Sequence, residues 1–288
     1  MLGQGLVAER PPKPGVQNRH SHLTKALEAL YAKFNRREFV HPDPLEFLYD
    51  FPDKAEREVV GLICAALAYG RVEQILKSIS ICLKKMEMKP RAFLETHSPN
   101  QIKAAFSDFG YRFTKGAEMA AFLTGLKAIL ERYGSIEAAF ASAPDSSGTN
   151  GPASNTIQKL SWFVTKVLEL SGLEKSYLLP HPQKKSACKR LFLYLRWMVR
   201  SDDVDPGGWT CILPKDLIIP LDTHMFNISK QLGLTTRKQA NLKTALEITE
   251  AFRQLSPDDP VKYDFVLTRF GIRRELSRNN IPGLISTN

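Results

Sequence analysis

Asp222 stands where an extended apolar stretch, Leu217–Ile219, runs into the start of a helix. Pro220 turns Ile219 away from the α region, so the helix begins later and Asp222 becomes its natural N-cap. Most aspartates so placed only satisfy orphan N–H groups at the positive end of the helix dipole. Chemistry requires a second group facing the carboxylate, and the candidates lie upstream. Seven basic residues, Lys175, Lys184, Lys185, Lys189, Arg190, Arg196 and Arg200, run to Ser201 with no acid after Lys175. Lys185, Lys189, Arg196 and Arg200 follow at intervals of four, seven and four, which puts them on one helical face. Like charges so spaced cost an isolated helix ~0.2–0.5 kcal/mol per pair, so a merely solvated face would intersperse acids; phosphate contact is the reading.

Other reactive residue types carry less. Asp202, Asp203 and Asp205 precede Pro206-Gly207-Gly208 and read as a turn before a cation site. His224 has no partner at metal spacing and reads as a hydrogen-bonding residue of the cleft. Cys64, Cys82, Cys188 and Cys211 form no C-x-x-C, so neither a metal cluster nor a disulfide scaffold is expected, only reduced thiols. No metal and no cofactor are implied.

The chain has 288 residues, 43% hydrophobic and 24% charged, which excludes disorder as the main state. Its net charge of +10 favours a polyanionic partner. No apolar run reaches the ~18 residues of a membrane span. Met1 to His20 has charges and prolines where a signal peptide has its apolar core. A cytoplasmic protein with no membrane partner is expected.

The positioning elements read as helices: Thr24–Arg36, Asp53–Tyr69, Val72–Met86, Gly116–Tyr133, Thr156–Leu170, Ser186–Arg200, Thr223–Leu232, Thr236–Leu255 and Pro260–Phe270. The Asp53–Tyr69 body is apolar on nearly every side and should be central. No segment alternates with period two. The expectation is an all-α, two-lobed domain over 23–275, with a basic tail at 1–22, a surface loop at 144–155 and a C-terminal tail at 276–288.

Several blocks resemble known families. Leu221-Asp222-Thr223-His224, continued to Gly233-Leu234, resembles the Val-Asp-Thr-His…Leu-Gly-Leu block of helix-hairpin-helix DNA glycosylases. Leu179-Pro180-His181-Pro182-Gln183-Lys184-Lys185 stands where that superfamily has its hairpin, with both hairpin glycines replaced, by His181 and Gln183. Leu62 to Arg71 is similar to the early helix whose end delivers a DNA-intercalating or base-contacting residue, which would be Tyr69 or Arg71. The closest resemblance, over most of 25–272, is to an uncharacterised bacterial family described only as a domain of unknown function. It rests on Ser186-Ala187-Cys188-Lys189-Arg190, Arg196-Trp197-Met198-Val199-Arg200, Pro220-Leu221-Asp222-Thr223-His224 and Asp259-Pro260-Val261-Lys262-Tyr263-Asp264-Phe265.

These resemblances imply a glycosylase-like fold with a degenerate hairpin and a monomeric base-excision enzyme of the bacterial cytosol or nucleoid, acting on damaged duplex DNA. Asp222 would be the catalytic carboxylate. A lysine amine would attack the sugar C1′ and release the base through a Schiff base, with β-lyase activity. Lys189 belongs to the closer family's signature; Lys185 is its rival by hairpin register. An attacking lysine must be neutral, which cationic neighbours such as Arg190 and Arg196 would promote. The spacing of Lys189 and Asp222 is similar to that of an archaeal 8-oxoguanine class, in which the residue at Asp264 contacts the base and Thr268 stands in place of an aromatic partner. Tyr69, Arg71, Arg112, Lys184, Arg190, Arg196, Arg200, Trp209, His224 and Asp264 are the candidate DNA and substrate contacts, with Trp197, Trp209, Tyr111 and Phe113 as candidates to hold an extruded base. The alternative is a non-catalytic protein binding DNA or structured RNA on the same scaffold.

Overall fold

Side-chain caps and a left-handed glycine set several helix boundaries in this chain. The structure, a computed structural model, describes residues 14–145, 151–184 and 186–272. Its helices are α1 (Pro14–Phe34), α2 (Lys54–Leu67), α3 (Val72–Lys85), α4 (Pro90–Thr96), α5 (Pro99–Ala105), α6 (Gly116–Tyr133), α7 (Ile136–Ala141), α8 (Gly151–Ser171), α9 (Lys189–Val199), α10 (Thr223–Gln231), α11 (Leu242–Leu255) and α12 (Asp264–Ile272). Between α5 and α6 the two-residue strands β1 (Gly110–Tyr111) and β2 (Thr114–Lys115) pair antiparallel. Asp53 caps α2 by accepting from the Glu56 N–H, and Gly134 ends α6 at a φ of 80°. Among the described residues the protein is all-α apart from that hairpin.

Helix α2 is the centre. It is buried continuously from Glu58 to Leu67 and packs on α9, α3, α4 and the 3-10 segment Pro44–Asp50. Its acids serve neighbouring helix starts: Glu56 accepts from the Arg91 N–H of α4, and Glu58 from the Ile136 N–H of α7. Burial pushes the Glu58 carboxyl up, and the Ile136 and Glu137 N–H groups and the Trp209 indole work against it. Helices α6 and α8 pack together beside this centre, and α12 packs on α10 and α1. One connected set of buried side chains runs from Leu23 to Phe270, so the two expected lobes share a single core.

The structure differs from the expected elements at short or polar segments. Helices α4, α5 and α7 and the hairpin span at most seven residues each, too few to show a periodic stripe. Helix α1 begins at Pro14, so 14–22 is helical rather than tail; 1–13 and the C-terminal tail lie outside the described residues. Helix α8 begins at Gly151, inside the stretch expected to be loop, of which 146–150 lie outside the described residues. Helix α11 starts at Leu242 because Asn241 caps it, accepting from the Thr244 N–H. All four cysteines are free thiols; burial pushes that of Cys188 up to about 11. No described helix is long and apolar enough to cross a membrane, and no group of His, Cys, Asp or Glu among the described residues could hold a metal ion.

Candidate active site

Five segments enclose a cavity of about 330 Å³. Asp43 and Pro44 form one wall, the α2–α3 junction from Ala68 to Ile75 a second, and the start of α9 a third. Pro220, Asp222 and His224 supply the fourth from the start of α10, and Asp264, Thr268 and Arg269 of α12 the fifth. Along α9 the lining residues are Lys189, Leu193 and Arg196, one helical face by spacing. The volume falls within the ~300–1,000 Å³ of small-molecule sites.

Asp222 uses its two oxygens differently. Oδ1 accepts from the Met225 N–H at 2.8 Å and caps α10, whereas Oδ2 lies 3.9 Å from Lys189 Nζ. The Lys189 and Asp222 side chains are 31% and 22% exposed, so a solute in the cavity can reach both. The cap fixes the carboxylate's orientation, and the amine sits opposite it because α9 opens at the cavity. Lys185, the rival nucleophile, lies outside the described residues.

Behind this pair the cavity becomes buried and ionic. Asp264 Oδ2 accepts from Arg196 Nη1, while its Oδ1 is buried without a hydrogen-bond partner. Burial raises the Asp264 carboxyl to about 6; Arg196 and Lys189 pull it down and the Asp222 charge pushes it up. Arg269 donates from Nη2 to Asp43 Oδ2 at 2.7 Å and from Nη1 to the Val40 carbonyl, leaving Nε buried and without a partner. Buried polar atoms are nearly always hydrogen-bonded, so two such atoms on residues lining one cavity are unusual. Asp43 and Arg269 had no sequence signal as a pair, since 226 residues separate them.

Of the residues singled out by sequence, Lys189, Arg196, Asp222, His224, Asp264 and Thr268 come together here, and none of the other described candidates lines the cavity. Arg196 and Arg200 are not on a solvated basic face: their side chains are 3% and 4% exposed. Arg196 is paired with Asp205 at 3.0 Å and with Asp264; Arg200 is paired with Asp202 at 2.9 Å, with Asp259 at 2.8 Å and with Asp205. Burial opposes the charge on each arginine, but the surrounding carboxylates outweigh it and hold both pKa values above their ordinary range. The turn read for Asp202–Asp205 is present, closed by a Ser201–Pro206 bridge, and Asp202 and Asp205 serve Arg200.

Arg190 is likewise turned inward. Its guanidinium donates to the carbonyls of Ala66, Tyr177 and Leu178 and tethers the end of α2, so it is neither a phosphate contact nor aimed at Lys189. Trp209 cannot hold an extruded base: its indole N–H donates to buried Glu58 at 3.1 Å and its ring packs on Tyr194 and Phe140. Trp197 is wholly buried. The Tyr69 hydroxyl donates to the Tyr111 carbonyl and accepts from Thr114 Oγ1. Arg71 and Arg112 are exposed beside the α2–α3 junction, outside the cavity lining. Lys184 is exposed in the 3-10 turn Pro182–Lys184, beside which His181 Nε2 lies 3.0 Å from Thr165 Oγ1.

No curated protein and no solved structure matches this chain. Over residues 43–273, a span holding Asp43, Lys189, Asp222, Asp264 and Arg269, it matches the family described as "Protein of unknown function (DUF2400)", and the chain belongs to that family.

Proposed function

We propose that this protein is a base-excision enzyme of the helix-hairpin-helix glycosylase kind, a monomer that removes a damaged base from DNA and then cleaves the strand as a β-lyase. The single observation behind this reading is the Lys189 amine 3.9 Å from the Asp222 carboxylate in a reachable cavity. In the reaction the neutral amine attacks the sugar C1′. A new C–N bond forms as the glycosidic bond breaks, and the base leaves with that electron pair and takes up a proton. Asp222 stabilises the positive charge building at C1′ and accepts the amine's proton, directly or through one water. Ring opening gives the Schiff base, from which loss of a C2′ proton expels the 3′ phosphate. An extruded base would enter the inner cavity, where Asp264 and Arg269 have hydrogen-bonding capacity to spare.

Oligonucleotides carrying 8-oxoguanine, uracil or an abasic site, incubated with borohydride, test this directly. A covalent adduct is expected that Lys189→Gln abolishes, with Asp222→Asn slowing its formation ~10²–10⁴-fold. An adduct lost in Lys185→Gln but kept in Lys189→Gln would move the nucleophile. Neither adduct nor base release on any lesion, with oligonucleotide binding intact, would leave a nucleic-acid-binding protein without this chemistry.

A further inference from the structure

The hairpin β1–β2 packs on the rim of the cavity. Gly70 lines that cavity with a φ of 104°, and a Cβ there would stand 2.9 Å from the Tyr111 hydroxyl and 3.0 Å from Arg112 Cδ. The two-residue turn places Arg112 at a φ of 49°, in the first central position, where tight hairpins favour glycine. That conformation lifts Phe113 away from the body. At 64%, Phe113 is the most exposed large hydrophobic side chain among the described residues.

Phe113 is the outer end of a run of rings. Its centroid lies 5.1 Å from that of Tyr177, itself 46% exposed; Tyr177 lies 4.8 Å from Tyr69, and Tyr69 4.8 Å from Tyr111. The Arg190 guanidinium sits 5.0 Å from the Tyr69 ring and 5.1 Å from that of Tyr177, held by three backbone carbonyls. The platform is therefore braced from beneath and open on its outer side. Within two residues in sequence of these four rings stand the exposed cations Arg71, Arg112, Lys115 and Lys175, against one carboxylate, Glu118, which accepts from the Ser176 hydroxyl and the Tyr177 N–H at 2.7 Å.

We propose that this platform stacks the unpaired bases of a single-stranded nucleic-acid segment that leads to the cavity, with the four cations on its phosphates. Stacking needs only the face of a base, and cations around it suit a polyanion rather than an apolar peptide. The proposal deepens the excision reading and rests on nucleic acid being the cavity's partner; it makes an unpaired segment, not intact duplex, the preferred ligand.

Fluorescence anisotropy on the full chain with a labelled, lesion-free oligothymidine, beside the same strand in duplex, requires no excision and so fails or succeeds independently of the borohydride experiment. The single strand should bind at least about tenfold more tightly than duplex. Phe113→Ala and Tyr177→Ala should each weaken single-strand binding about tenfold with duplex binding unchanged, and Phe113→Trp should retain it. Arg112→Gln with Lys115→Gln should flatten the salt dependence. Equal affinity of wild type and Phe113→Ala, a preference for duplex, or capture of a proline-rich peptide by the same rings in place of the oligonucleotide would overturn it.

Discussion

The two ends of α9 carry the same residue types and put them to opposite uses. At its start, Lys189 meets one carboxylate at 3.9 Å, and both side chains remain open to the cavity. From its last turn to its C-cap, Arg196 and Arg200 meet Asp202, Asp205, Asp259 and Asp264, with Asp205 wholly buried between the two guanidiniums. A buried cation needs partners on most of its donors or it does not stay charged and folded. A half-exposed one needs none, because water does that work. Repeated cations along one helix thus mark a nucleic-acid surface only where the helix stays at the surface, and α9 dives into the core after one turn.

The inner end should be by far the more sensitive to loss of a partner. Arg200→Ala takes the cation from Asp202 and Asp259 and leaves Asp205 with Arg196 alone, so a loss of about 3–5 kcal/mol is expected in urea denaturation of the full chain. A loss below about 1 kcal/mol would mean that water or rearranged side chains replace the guanidinium, and the contrast between the two ends would fail.

Asp264 joins the two regions, touching Arg196 and lining the cavity, and its titration sharpens the contrast. The folded chain raises this carboxyl from its ordinary 3.8 to about 6, chiefly by burial. The group therefore favours the folded state below pH about 4, and that contribution fades as pH rises towards 6. Wild type should lose about 1–3 kcal/mol relative to Asp264→Asn between pH 4 and 6. A difference that is flat with pH, or of opposite sign, would show that Arg196 dominates and keeps the carboxylate charged throughout.

Helices α2, α3 and α6 were legible because 14 to 18 residues give several turns of stripe and clear ends. Asp222 as an N-cap was legible for a local reason, Pro220 two residues before it. Lys189 opposite Asp222 was suggested by resemblance rather than by spacing. What stayed hidden is long-range pairing: nothing near Arg200 in sequence announces Asp259, and nothing near Arg269 announces Asp43. The basic run misled because charge pattern records which residues share a helical face, not which neighbours later cover that face. Phe113 was read as a candidate to hold an extruded base, and the hairpin turn leaves it exposed and off the cavity lining.

The smallest effect should come from the pair on which the proposed chemistry depends. Lys189→Gln removes a half-exposed ion pair without uncapping α10, since Asp222 Oδ1 keeps the Met225 N–H. Partly exposed pairs contribute about 0–1 kcal/mol, so its unfolding free energy in urea should fall by no more than about that. Asp222→Asn should behave alike because asparagine caps as well as aspartate, whereas Asp222→Ala should cost about 1 kcal/mol through the lost cap. Loss of the borohydride adduct in Lys189→Gln at unchanged stability would separate chemistry from architecture along one helix. A cost above about 2 kcal/mol would instead make Lys189 a structural cation like Arg200, leaving the amine committed to holding α10 and unable to attack.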